Sequence, residues 1–488
     1  MNRWIAPLLA AGLLAVPADA APRRDRALEA QLLAHITELA SDAYQGREPG
    51  TPGEAKTLRY LGKQWFDIGL VSGTNDPGHA WFAPVTLVGR TPDGSLAQFS
   101  RRGRRVYVPS GSVLMLTSGK RSLIENAPVL FVGKGLIAPA RAELAGRVAL
   151  LLDNGQDNSD RQNTLLKTGA SAVLTVLDGD RSLENVSNRR QRSGYALASD
   201  ELGGDLEGFI TAEGLASALA GTKQTLASLE SAAADPAFVP RVLDLAATLE
   251  ATTRETRIST HNLIGKLPGR KPGAGAVLLV AHWDHFGVCA TPPAEDLICN
   301  GAIDNASGLA SLTEIARRLA KAPALDRDVY FLATTGEELG LLGALAFAEN
   351  PPLPLGKIVA AFNIDSNALA PAGAPLGIVG QGMTRLDAQI AAVARAQKRK
   401  LAEGTAANAY VRRQDGWALL QHDVPAVLVS SAYGDIARIE RFFDSDYHRS
   451  SDGVKPGLEL GGAAEDVAFH VALVRWFGDV KRVPLATK

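Results

Sequence analysis

Val277-Leu278-Leu279-Val280-Ala281 runs without interruption into His282-Trp283-Asp284. Three further stretches repeat the arrangement. Val329-Tyr330-Phe331-Leu332-Ala333-Thr334-Thr335 leads to Gly336-Glu337-Glu338, and Ile358-Val359-Ala360-Ala361-Phe362-Asn363-Ile364 ends on Asp365. Ala426-Val427-Leu428-Val429 opens the stretch that reaches Tyr447-His448. Apolar runs without polar alternation read as strands buried on both faces, the sequence form of a parallel sheet. Helical segments at Ser307 to Ala320 and Arg385 to Lys398 fall between them, as βαβ units require. The expected fold class is therefore α/β, with a mixed, largely parallel sheet flanked by helices. Ligands of such sheets sit beyond the carboxyl ends of the strands, where each of these runs delivers a residue able to bind a metal or move a proton.

Outside this block the texture changes. Ala27 to Leu70 is helical, with Leu28, Leu32, Leu33, Ile36 and Leu39 on one stripe. Gly46-Arg47-Glu48-Pro49-Gly50-Thr51-Pro52-Gly53 interrupts it as a turn-rich loop, and a second helix runs from about Glu54 to Ile68. Between residues 104 and 253 lie short strand-like pieces, among them Pro128 to Val132, Arg147 to Leu152 and Ala172 to Leu177. They carry almost no combination of reactive side chains, and the block reads as a smaller β-rich domain inserted into a larger one. The expected organisation is 1–20 leader, 21–103 and 254–488 one catalytic domain, and 104–253 the insert.

A chain of 488 residues is too long for one ordinary core. Its formal net charge of −1 supplies no general attraction to nucleic acid or to an anionic membrane surface. Arg3, the apolar stretch Trp4 to Val16 and the Ala18-Asp19-Ala20 site form a secretory signal peptide with cleavage expected after Ala20. That apolar stretch is too short to span a bilayer and no later segment has the necessary run, so membrane insertion is not expected. The mature protein is expected in a periplasmic or extracellular space. There, the closely spaced pair Cys289 and Cys299, the only cysteines, is expected to form a disulfide.

Five residues stand out as candidate ligands: His282, Asp304, Glu338, Asp365 and His448. Taken singly, each has an ordinary alternative. His282 could be a buried histidine beside a capping Asp284, and Asp304 could cap the helix that follows it. The pair Glu337-Glu338 could be a solvated turn. Together, two imidazoles and three carboxylates suit zinc by hardness and geometry. With Asp304 between two ions, each ion gains one histidine, one terminal carboxylate and one oxygen of the bridge. A second glutamate beside a ligating one is then free to serve as a general base. The pattern predicts a metal-assisted hydrolase site.

These residues resemble metallopeptidase family twenty-eight, the secreted di-zinc aminopeptidases of the MH clan. The family's motifs stand here in order: His282-Trp283-Asp284, Gly301-Ala302-Ile303-Asp304-Asn305-Ala306-Ser307-Gly308, Gly336-Glu337-Glu338-Leu339-Gly340, Asn363-Ile364-Asp365 and Tyr447-His448 with Asp452. The segment Gln45-Gly46-Arg47 also resembles the family's opening motif. The resemblance implies a phosphorylase/hydrolase-like zinc exopeptidase fold and two zinc ions per chain. His282 and Asp365 would hold one, Glu338 and His448 the other, and Asp304 would bridge them. Glu337 would be the general base, Asp284 would orient His282, and Tyr447 would stabilise the tetrahedral intermediate. The insert resembles a protease-associated domain. Peptides are the implied substrates, attacked at the N-terminus. A carboxypeptidase or dipeptidase of the same clan and a catalytically inactive peptidase-like binding protein are the alternatives. Where relatives have Ser-Asp-His before the last strand, this chain has Gln414-Asp415-Gly416-Trp417, so Asp415 and Trp417 are the expected substrate-pocket residues.

Overall fold

Alternate residues of each apolar run are divided between two cores. Val277, Leu279, Ala281, Phe331, Ala333, Phe362, Val427 and Val429 share one cluster. Leu278, Val280, Tyr330, Leu332, Ala361 and Ala426 share another. A strand covered on both faces can afford no polar side of its own, which accounts for the unbroken hydrophobic pattern.

The computed structural model describes residues 24–78, 81–134, 139–153, 159–178, 181–191, 194–200 and 204–485. The expected leader, ending at Ala20, lies outside them. Among the described residues no helix is long and apolar enough to cross a membrane. The chain divides into two compact units: Met1–Ala83 with Asn262–Glu337 and Gly343–Lys488, and Pro84–His261 with Glu338–Leu342.

In the first unit, helices α1 (Arg26–Leu39) and α2 (Pro52–Ile68) precede strand β1, the end of Arg241–Leu267. Strands β2 (Ala276–His282), β3 (Asp328–Thr334), β4 (Ile358–Asn363), β5 (Gly377–Val379) and β6 (Ala426–Ser430) follow, with helices α3 (Ser307–Ala320), α4 (Asp387–Ala396) and α5 (Gly461–Phe477) between or after them. The sheet order is β5-β6-β4-β2-β3-β1. The four central strands are parallel, and β5 and β1 are antiparallel at the flanks. Leu28, Leu32 and Ile36 of α1, Leu61 and Trp65 of α2, Leu309 and Leu312 of α3, and Leu473 and Phe477 of α5 cover one face. The helix starts follow local chemistry. Asp25 Oδ1 accepts the Leu28 N–H at 3.0 Å to cap α1, and α2 opens on Thr51 with proline at its first position.

Register places the site. His282 lies opposite Thr334, and Val280 lies opposite both Leu332 and Asn363. His282, Glu337 and Asp365 consequently leave the sheet at one edge, at the carboxyl ends of adjacent parallel strands.

The second unit has its own parallel strands, Arg121–Phe131, Val148–Leu152, Ala172–Val176 and Leu206–Ile210, with Val113–Thr117 antiparallel at one edge. Phe131, Leu150, Leu174 and Ile210 sit in its core. Its span of Pro84–His261 is wider than the 104–253 block read from the sequence, because the long strands Phe82–Arg101 and Arg241–Leu267 continue past both ends of that block. Leu206–Ile210 escaped the sequence reading because Glu207 and Gly208 break its apolar run.

Candidate metal centre

His282 ends β2 and is 1% exposed. Its Nδ1 lies 3.1 Å from the backbone carbonyl oxygen of Asp284, an acceptor, so Nδ1 carries the proton and donates. The other nitrogen, Nε2, is 3.1 Å from Asp304 Oδ1, 3.7 Å from Asp365 Oδ1 and 4.0 Å from Glu337 Oε2. Among the described residues that buried Nε2 has no partner in hydrogen-bonding geometry. In the neutral ring it presents a lone pair to three carboxylates, an arrangement that asks for a cation.

The electrostatics agree. Burial disfavours charge on His282, yet Glu337 and the contacts with Asp304 and Asp365 hold its imidazole well above the ordinary value. Burial works against Asp304 in turn, but the His282 and His448 rings hold it well below the usual carboxylate range. Burial pushes the Asp365 carboxyl up, with the Asp304 charge adding to it against His282. Buried acids packed this densely are costly without positive charge among them.

Asp304 belongs to an irregular turn before α3. Its φ and ψ of −106° and 95° are not helical, and the helix N-cap is Ala306, which has no capping side-chain bond. The Asp304 carboxylate therefore faces the histidines instead of capping α3, with His448 Nε2 3.5 Å from its second oxygen. His282, Asp304 and Asp365 each offer a ligand atom within 4.8 Å of the others, as do His282, Glu337 and Glu338. A third such group is His285, Asp304 and Glu338. His285 was passed over in the sequence, although it directly follows His282-Trp283-Asp284; a second buried imidazole in that motif was the available signal. Nitrogen and carboxylate donors in these numbers fit zinc.

The other expected site residues take distinct places. The Asp284 carboxylate is 3.9 Å from His282 Nδ1, and its Oδ1 accepts the Glu337 N–H at 3.1 Å. His282 Nδ1 thus meets the Asp284 backbone carbonyl more closely than the Asp284 carboxylate, which accepts the Glu337 N–H. Tyr447 stacks on His448 with ring centroids 3.6 Å apart, and the Arg413 guanidinium lies 5.3 Å from the Tyr447 ring. Asp415 is wholly buried and accepts the Thr334 hydroxyl at 2.6 Å. Burial pushes its carboxyl up to about 6. Trp417 is partly buried beneath Arg412. Cys289 and Cys299 form a disulfide in the loop between His282 and Asp304.

Residues 262–468 match the model of peptidase family M28. The alkaline phosphatase isozyme conversion protein of Escherichia coli (strain K12) is 34% identical over 102 residues, 19% of this chain and 29% of that protein. Aminopeptidase YwaD of Bacillus subtilis (strain 168) is 26% identical over 263 residues, 53% of this chain and 47% of that protein. The chain thus spans less than half the length of these relatives. Among solved structures, the aminopeptidase from Aneurinibacillus sp. strain AM-1 shares the fold with a TM-score of 0.55 at 20% identity, covering 92% of this chain and 93% of that one. Residues 262–468, the stretch that matches the model of peptidase family M28, contain all five candidate ligands.

Proposed function

We propose that this chain is a secreted, zinc-dependent exopeptidase that removes N-terminal residues from peptides, with two zinc ions per chain. The observation that carries the reading is the convergence of Asp304, Asp365 and Glu337 on the buried Nε2 of His282. His282 and Asp365 would hold one ion, Glu338 and His448 the other, and Asp304 would lie between them. When bound, zinc would supply Lewis acidity, lowering the pKa of a coordinated water toward roughly 7 and polarising a carbonyl.

The protein groups do the rest. Glu337 takes the proton of the attacking water and passes it to the departing amine. Asp284 keeps Glu337 in place through its backbone amide. Tyr447, held against His448, donates to the oxygen on which charge develops. Export through the leader, cleaved after Ala20, accords with the disulfide, and the 84–261 unit is read as a protease-associated domain.

Glu337→Gln tests this reading. The variant should retain zinc and lose about 10²–10⁴-fold in kcat on aminoacyl chromogenic substrates. Turnover at the wild-type rate would remove Glu337 from its assigned role.

A further inference from the structure

Two buried charges that take no part in the steps above grip the backbone of the turn carrying Asp304. Arg47 is 0% exposed. Its Nη1 donates to the carbonyls of Asn300 at 2.6 Å and Leu39 at 2.9 Å, Nη2 donates to Gly301 at 2.9 Å, and Nε donates to Trp283 at 2.9 Å. Asp452 is 1% exposed. Its Oδ1 accepts the Ile303 N–H at 2.9 Å and its Oδ2 accepts the Asp304 N–H at 3.0 Å. The backbone carbonyl of Asp452 accepts the Ala302 N–H at 3.0 Å.

Between residues 300 and 304, then, carbonyls at the start of the turn end on a cation and amides at its close end on an anion. Charge-assisted bonds are the shorter and stronger kind, and a planar guanidinium fork fixes direction as well as distance. Gly301 shows how tightly the turn closes. Its φ is 56°, and a Cβ there would lie 2.8 Å from Arg47 Nη2 and 2.1 Å from the Asp304 carbonyl oxygen. The two grips also reach both histidines. Arg47 holds the carbonyl of Trp283, next to His282, and Asp452 lies four residues beyond His448.

We infer that Arg47 and Asp452 are positioning residues that together fix the Asp304 carboxylate between the two metal positions by clamping the backbone of residues 300–304. The inference rests on the proposed metal reading. A merely structural role, tying α1 and the following loop to the core, would lower stability without changing the metal affinity of the folded protein.

Asp452→Asn keeps the shape but offers one acceptor, turning its NH₂ toward the other backbone N–H. Arg47→Lys keeps the charge and loses the fork. Zinc affinity is measured on the full chain by competition with a chromogenic chelator, at a temperature where every variant is folded by circular dichroism. Both variants should bind zinc 10–100-fold more weakly. With zinc saturating, kcat should fall while KM for an aminoacyl p-nitroanilide changes less than about twofold. Asp328→Asn is the control. It makes the same change at a carboxylate that accepts the Gly269 N–H at the amino end of β3, the opposite end of that strand from Thr334, and should leave zinc affinity unaltered.

Wild-type zinc affinity in both clamp variants overturns the inference, as does an equal loss in the control. If Arg47→Lys does not fold, Asp452→Asn decides alone. A wild-type chain that binds no zinc sinks the metal reading and takes this inference with it; wild-type binding with unaffected variants sinks this inference only.

Discussion

Helix α5 holds two buried titratable groups whose effects on stability should cancel until one is removed. The Asp466 carboxylate accepts the Ser430 hydroxyl at 2.8 Å and the Ser431 N–H and hydroxyl at 2.8 and 2.9 Å. Burial nevertheless pushes its carboxyl from 3.8 up to about 6. His470 Nδ1 donates to the Asp466 carbonyl at 2.8 Å, and burial lowers its imidazole from 6.5 to about 4. Between pH 4 and 6 the folded chain keeps a proton on Asp466 that the unfolded chain releases. Over the same range the unfolded chain takes up a proton on His470 that the folded chain refuses. Asp466 thus makes the fold more stable as pH falls, and His470 makes it less stable. Each slope is about 1.4 kcal/mol per pH unit, so together they leave almost none. Removing His470 with His470→Gln should expose the carboxylate, and stability relative to wild type should rise by about 2 kcal/mol from pH 6 to pH 4. Asp466→Asn should show the opposite trend, falling by a similar amount. Urea unfolding of both variants and wild type at pH 6, 5 and 4, with chelator throughout, measures the differences. Variant-minus-wild-type stabilities that stay flat across this range would refute the assignment of these two protonation states.

Two further outcomes follow from particular contacts. Asp284→Ala should leave zinc affinity close to wild type, because His282 Nδ1 donates to the backbone carbonyl of residue 284, and should reduce kcat by up to about 10²-fold through loss of the Glu337 anchor; strong zinc loss in chelator competition would contradict this division of labour. Replacing Cys289 and Cys299 with serine removes a bridge across 10 residues and should cost about 2–3 kcal/mol in a urea titration, with no effect expected if the loop is as restricted in the unfolded reduced chain.

The sheet was legible because burial on both faces leaves a pattern that no exposed element shares. Every residue from Val277 to Ala281 meets one of two cores, so hydrophobicity alone marked the strand. Helix α3 was legible to the residue, since an apolar stripe backed by Arg317 and Arg318 stops where packing stops. Where tertiary pairing supplied what the local sequence lacked, reading failed. Leu206–Ile210 is a strand because it lies between Ala172–Val176 and Val113–Thr117, in spite of Glu207 and Gly208. The long strands Phe82–Arg101 and Arg241–Leu267 carry polar residues for much of their length, so their extent could not be read from hydrophobicity.

At the site, the residue types were legible and their bonding partners were not. A histidine or carboxylate at a strand end announces itself by being polar where its neighbours are apolar, and register then decides whether it meets the others. What a motif cannot display is a bond from a side chain to a backbone atom far along the chain. Asp284 has the residue type and spacing expected of a histidine-orienting carboxylate, yet its oxygen holds an amide 53 residues away. Arg47 sits in a glycine-rich loop that resembles any exposed turn, yet it is enclosed by carbonyls 236 to 254 residues distant. Backbone groups are identical at every position, so no residue code records which of them a side chain will find. Candidate ligands can therefore be read from sequence well before the groups that hold them in place, and those groups are where variants should separate metal affinity from stability.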